Sequence, residues 1–167
     1  QARVVADTIC GRTAEYKGSV NTFIVRVFGL AVGSTGCSEK QLWRERIPYR
    51  ACHVHPNSHA GYFPNASTLS LKLLFSPDSG RVLGAQAAGG EGVDKRLDVL
   101  ATAVAAKLSV FDLETIDYAY APPFGSAKDP VNYAAFVAAN ILRGDVDEAH
   151  WRQLADRFDP AQDALVD

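Results

Sequence analysis

The sequence predicts an α+β domain: an antiparallel sheet with helices packed on it. Three observations carry that reading. Strand-type runs fill the stretch from residue 23 to residue 88, and "SPDSG" between "LSLKLLF" and "VLGAQAA" supplies Pro77, Asp78 and Gly80 as turn residues for a hairpin. Two apolar helical periods then follow, from Asp94 and from Asp129. Strands gathered first and helices second is the order of an α+β fold.

The elements read as follows. "QARVVADTICGR" has helical apolar spacing and a Gly11 stop but no start signal, so it reads as the tail of a helix. "TFIVRVFGLAVGSTG" alternates Phe23, Val25 and Val27 with Ile24, Arg26 and Phe28, which predicts one strand buried on both faces. Ser38 with Gln41 three residues on has the pattern of a capping box and opens a short helix in "SEKQLWRERI". "YRACHVH" is a strand closed by Pro56, and the "SPDSG" hairpin follows. "DKRLDVLATAVAAKL" sets Leu97, Leu100, Ala101, Val104 and Leu108 on one face of a helix. Asp129-Pro130 caps a second helix, "VNYAAFVAANIL", which Gly144 ends. That helix is apolar nearly all round, which predicts cover from several sides and a second copy of the chain as one of them. "DVDEAHWRQLADRF" reads as a third amphipathic helix through Trp151, Leu154, Ala155 and Phe158, and "DALVD" as the opening of a strand.

At 167 residues, 47% hydrophobic and a formal charge of −2, the chain suits about one globular domain. That composition suggests neither a basic nucleic-acid surface nor a disordered acidic tail. Its apolar runs fall short of the ~18 residues of a membrane span. The expected partners therefore include no nucleic acid and no membrane. Cys10, Cys37 and Cys52 are odd in number and lack CxxC spacing, which points to a reducing, cytoplasmic setting and to thiols serving as small core fillers.

Candidates for chemistry are few. His53, His55 and His59 lie close together beside Cys52, and 53 and 55 share a strand face. No carboxylate or spaced fourth ligand completes a set, so no metal site is assigned. "GAQAAGGEGVDKR" brings Gly84, Gly89, Gly90 and Gly92 to a helix start, but the spacing fits neither dinucleotide nor P-loop patterns, and a strand-to-helix bend accounts for it equally. There is no GxSxG elbow and no HExxH. What remains is Tyr62 in "HPNSHAGYFPN" and Tyr120 in "YAPPF", two phenols in proline-bounded loops. Pro122 and Pro123 fix their own φ and hold the residue before them extended, so Tyr120 closes a stiff, non-helical segment. Loop packing alone would also explain such aromatics. An independent small-molecule- or metal-binding module stays open at this point.

"KGSVNTFIVRVFGLAVGSTGCSEKQL", "IPYRACHVHPNSHAGYFPNA", "LKLLFSPDSGRVLGAQAAGGEGVDKRLDVLATAV" and "YAPPFGSAKDPVNYAAFVAANIL" together resemble the C-terminal dimerisation domain of the pyridine nucleotide-disulfide oxidoreductases. The likeness is to the branch holding coenzyme A-disulfide reductases, NADH oxidases and peroxidases, and persulfide reductases. It divides the chain into residues 1–11, similar to the last helix of a preceding FAD domain, residues 12–144, the dimerisation domain, and residues 145–167, similar to a linker and the opening of a fused rhodanese domain. It implies an α+β FAD/NAD-linked reductase dimerisation fold and a homodimer. It further implies no cofactor on this stretch but FAD and NAD(P)H in the parent enzyme, with coenzyme A disulfide or a persulfide as substrate. The NADH oxidase or peroxidase is the alternative parent. By motif, Tyr62 and Tyr120 would serve the partner subunit's active site, stabilising the leaving thiolate, and Phe124 would approach the partner's flavin. None of the three cysteines matches the family's redox cysteine.

Overall fold

The computed structural model describes residues 1–150, 153–154, 157–159 and 161–163. Helix α1 (Ala2–Ile9) precedes a hairpin of β1 (Phe23–Val27) and β2 (Leu30–Gly36). Helix α2 (Glu39–Arg44), β3 (Arg50–Val54), β4 (Leu69–Phe75) and β5 (Val82–Gly89) follow, then α3 (Val93–Ala106), α4 (Val110–Thr115) and α5 (Pro130–Arg143). The sheet runs β1-β2-β5-β4-β3 and every pair is antiparallel, as the sequence predicts.

Helices α3 and α5 cover one face of the sheet, α3 over β2 and β5, α5 over β3 and β4, and α4 leans on α5. Between them lies the core: Leu69, Leu71, Leu73 and Phe75 from β4, Val82, Ala85 and Ala87 from β5, Leu100 and Ala103 from α3, Val131, Ala134, Ala135 and Ala138 from α5. On the other face α2 sets Leu42 against Ala51 and Leu74, with Leu83 of β5 packed beside them.

Two expectations are corrected. The run from Phe23 to Gly36 is not one doubly buried strand but a hairpin that turns at Phe28-Gly29, with Phe28 at φ 53°. Strand β1 is an edge strand, and Phe23, Ile24, Val25 and Val27 are all exposed despite their apolarity. Conversely, α5 needs no second chain for most of its cover. Its alanines let it sit close on the sheet, where the Cys52 thiol donates to the Ala134 carbonyl at 3.4 Å, and eight of its residues are buried within this chain.

The caps follow the sequence. Ser38 accepts from the Gln41 amide at 3.2 Å, while the Gln41 side chain turns to Glu45 instead of closing the box. Asp129 and Asn132 close a full box on α5, and Gly144 ends it at φ 78°. Helix α4, which the sequence reading missed, carries its own signal: Ser109 and Asp112 form a reciprocal capping box. Of the three cysteines, Cys52 is a buried filler, Cys37 is partly buried, and Cys10 is exposed, against expectation. Of the helix expected after residue 145, Gln153, Leu154 and Arg157 are helical, while Trp151, Ala155 and residues 164–167 lie outside the described residues. Among the described residues no helix is long and apolar enough to cross a membrane.

Candidate functional site

Two loops meet at one end of the domain, and each brings one of the tyrosines. The first, residues 55–68, joins β3 to β4. The second, residues 116–129, joins α4 to α5. The Ala60 amide donates to the Gly125 carbonyl at 3.0 Å, a direct backbone link between them. At their tips the hydroxyls of Tyr62 and Tyr120 stand 3.5 Å apart. Tyr62 is 78% exposed, Tyr120 49% and Phe124 72%, so all three project from the domain. The two tyrosines singled out in the sequence, 58 positions apart, are thus brought into contact by the fold.

Each loop is stiffened from within. In the second, the amides of Phe124 and Gly125 both donate to the Ala121 carbonyl, at 2.8 and 3.1 Å, closing a turn over Pro122-Pro123. The buried Asn132 side chain donates to the carbonyls of Leu113 and Ile116 at 2.9 and 3.2 Å, which anchors the loop where it leaves α4. In the first, His59 is buried, with Nε2 3.1 Å from the Pro64 carbonyl and Nδ1 3.2 Å from Ser58 Oγ. A carbonyl only accepts, so Nε2 carries the proton and Nδ1 accepts from the hydroxyl. Ser58 Oγ in turn accepts from the Ser67 amide at 3.2 Å. His59 is therefore a clamp between the two ends of the tyrosine loop and is not available as a ligand.

Beneath both loops lies a residue the sequence reading passed over. Arg96 on α3 is 2% exposed and reaches both of them. Its Nη2 donates to the Ser58 carbonyl at 2.8 Å and to Asp129 Oδ2 at 2.9 Å, and its Nε to Asp129 Oδ1 at 3.3 Å. Asp129 Oδ1 also accepts from the Val131 amide at 3.0 Å, so the same carboxylate caps α5. One fork of donors holds the loop of Tyr62, the loop of Tyr120 and the start of α5 in fixed relation. The signal was present: Arg96 falls on the apolar stripe of α3 with Val93, Leu97 and Leu100, where a charge needs a buried partner.

Gly92 completes the arrangement, and its neighbours show why the glycine-rich bend is structural. It sits at φ +72°, and a Cβ there would stand 2.2 Å from Arg96 Nη1. Gly92→Ala is expected to cost about 1–2 kcal/mol for the left-handed backbone alone, plus the displacement of Arg96. A drop in the denaturation midpoint, with the slope unchanged, would show it; a neutral change would show that the fork is slack.

The electrostatics fit a pair of donors and not a nucleophile. The hydrogen bond with Tyr120, with lesser contributions from desolvation and the neighbouring phenol's charge, pushes the Tyr62 phenol above its usual range, so it stays protonated at neutral pH. Burial, followed by the charge of Glu148, drives the Cys52 thiol up to about 12, which leaves it inert. Burial first, then Asp129, raises Tyr118 to about 12, and its hydroxyl is buried with no partner among the described residues. Beside the loops a cleft of about 380 Å³ runs between His55, Asn57, Gly61, Ser126 and Tyr133. The site can offer two adjacent phenolic O–H groups, held rigidly, to something outside this chain.

Comparison with known proteins agrees with this architecture. The profile of the pyridine nucleotide-disulphide oxidoreductase dimerisation domain matches residues 22–130. A coenzyme A disulfide reductase of Staphylococcus aureus (strain bovine RF122 / ET3-1) is 36% identical over 138 residues, which is 82% of this chain and 31% of that protein. Among solved structures, that of reduced Bacillus anthracis CoADR-RHD superposes with a TM-score of 0.88 at 50% identity, over 91% of this chain and 28% of that one. A NAD-dependent persulfide reductase from A. fulgidus gives 0.86 at 37% identity, over 88% of this chain and 28% of that one. The water-forming NADH oxidase of Lactobacillus brevis, at 20% identity and a TM-score of 0.77 over 81% of this chain and 30% of that one, shares the fold. The chain spans about a third of the length of the curated relatives it matches. With its all-antiparallel five-stranded sheet, its two covering helices and a profile match over most of its length, the chain belongs to the pyridine nucleotide-disulphide oxidoreductase dimerisation-domain family.

Proposed function

We propose that this chain is the homodimerisation domain of an FAD-dependent NAD(P)H:disulfide oxidoreductase acting on coenzyme A disulfide or a persulfide, and that it lends Tyr62 and Tyr120 to the active site of the partner subunit. The single observation that carries the reading is the hydroxyl pair, 3.5 Å apart and turned outward from rigid loops. Two such donors suit a developing thiolate: as a cysteine of the parent enzyme attacks the disulfide, the leaving sulfur takes up negative charge, and the phenols hydrogen-bond it. FAD, when bound, supplies the electrons that keep that cysteine reduced. The sheet described here is antiparallel in every pair, whereas dinucleotide folds are built from parallel βαβ units. The reading therefore assigns both cofactors to other domains of the parent. Phe124, 72% exposed on the same loop, is the residue of this chain that would approach the partner's flavin. The exposed apolar side chains of β1 and its turn, Phe23, Val25, Val27 and Phe28, offer surface of the kind that protein contacts cover.

Mixed dimers of the full-length enzyme test the exchange between subunits. One subunit carries Tyr62→Phe and Tyr120→Phe, and the other lacks the redox cysteine. If the tyrosines work across the boundary, one of the two sites in each mixed dimer is whole, and about half of the wild-type activity per dimer returns. If they work within their own subunit, both sites are crippled and activity stays at or below the residual level of the double-phenylalanine enzyme, which would overturn the assignment.

A further inference from the structure

The sequence assigns no metal to this chain, because His53, His55 and His59 lack a further ligand. The fold dissolves that trio and assembles another. His59 is engaged by Ser58 and Pro64, and His55 Nδ1 lies 3.1 Å from Ser70 Oγ. His53 instead projects from edge strand β3 towards the segment that follows α5. Its ring meets that of His150 edge to face, centroids 5.5 Å apart. One ligand atom each from His53, Glu148 and His150 lie within 4.8 Å of one another.

A second observation points to a cation ligand. Glu148 Oε2 is buried and has no hydrogen-bond partner among the described residues. A carboxylate oxygen removed from water without donor or cation is costly, and natural structures seldom tolerate one. It lines, with His53 and His150, a cavity of about 650 Å³. Two basic groups of that cavity are bound elsewhere, Lys72 to Glu39 and Arg157 to Asp147.

We propose that His53, Glu148 and His150 form a binding site for a borderline divalent cation, Zn²⁺ by its ligand chemistry, that ties the segment after α5 to the sheet. Two imidazoles and a carboxylate make a three-ligand set that leaves the fourth position to water. With metal–ligand bonds of about 2.0–2.2 Å, tetrahedral ligand atoms stand roughly 3.4 Å apart. The set closes once its widest pair, within 4.8 Å, comes in by at most about 1.4 Å. His53 is exposed and has the rotamer freedom to do so.

Titrating the metal-free 167-residue chain with ZnCl₂ in a calorimeter should show one-to-one binding. His53→Ala and His150→Ala should each weaken it by at least about tenfold, the scale already reached when only outer-shell support is lost. Glu148→Gln, which keeps the shape, should weaken it likewise. Cobalt(II) in place of zinc should give the spectrum of nitrogen and oxygen coordination without a thiolate charge-transfer band, which separates this site from the cysteines. Amide exchange over residues 145–150 should slow with zinc in the wild type and not in the His53→Ala, His150→Ala double variant. No binding up to about 1 mM zinc, binding indifferent to all three substitutions, or exchange unmoved by bound metal would overturn the proposal. Circular dichroism of each variant separates loss of binding from loss of fold.

Discussion

Turnover of the full-length enzyme with coenzyme A disulfide is expected to fall roughly 10- to 100-fold when Tyr62 and Tyr120 are both replaced by phenylalanine. The magnitude follows from the chemistry assigned to them. A hydrogen bond to a charged group is worth about 1.5–3 kcal/mol, and each 1.36 kcal/mol is tenfold in rate. A single replacement should cost less than half of the combined loss in energy, because the second phenol stands 3.5 Å away and can take the same sulfur. The loss should fall on the step with the disulfide, leaving reduction of the flavin by the nicotinamide at its wild-type rate in stopped-flow measurements. Both side chains are largely exposed, so stability should be unmoved, and melting curves provide that control. Wild-type turnover with the disulfide in the double variant would remove the tyrosines from the reaction.

The larger effect on stability is expected at Arg96. Arg96→Met strands the Asp129 carboxylate, which is 4% exposed, and leaves the Ser58 carbonyl without its donor. Removing one partner of a buried pair costs about 3–5 kcal/mol, a large part of the roughly 5–15 kcal/mol that holds a domain together. Lys95, 3.9 Å from the same carboxylate and partly exposed, remains as a weak substitute and places the expectation at the lower end. The cost is mainly that of the uncompensated charge, so it should be reversible in part. Arg96→Met combined with Asp129→Asn keeps an N-cap acceptor for α5, removes the charge, and should be more stable than Arg96→Met alone. Equilibrium denaturation of the three variants measures this; a double variant no better than the single one would show that the fork's geometry, and not its charge balance, is what matters. Arg96 also holds the loop of Tyr62, so any folded Arg96→Met protein should show exchange or line broadening in residues 57–64.

The two largest effects thus fall on residues with very different visibility in the sequence. Tyr62 and Tyr120 stood out because proline fixes the backbone locally, and a local constraint is written where it acts. Arg96 and Asp129 did not stand out as a pair, because their partnership is made 33 positions apart by the crossing of α3 and α5 over the sheet. The β1–β2 hairpin was misread for a related reason. Apolar alternation reports that a strand has faces worth burying, but whether anything lies over them depends on its place in the sheet, and β1 ended at the edge. Helix α5 was misread in the opposite sense, since its alanines look like surface for a second chain until the sheet is seen to come close enough to cover them.

Local chemistry in the sequence settled the caps of α2 and α5, the hairpin of β4 and β5, the α+β class and the two stiff loops, because each of those is decided by dihedral preferences and hydrogen bonds among near neighbours. Only the tertiary structure decided that the loops meet with their phenols in contact, that a buried arginine joins them, and that His53 faces Glu148 and His150. Those meetings depend on strand order and helix crossing, which arise from burying one continuous core, and burial has no direction that any short stretch of residues could record.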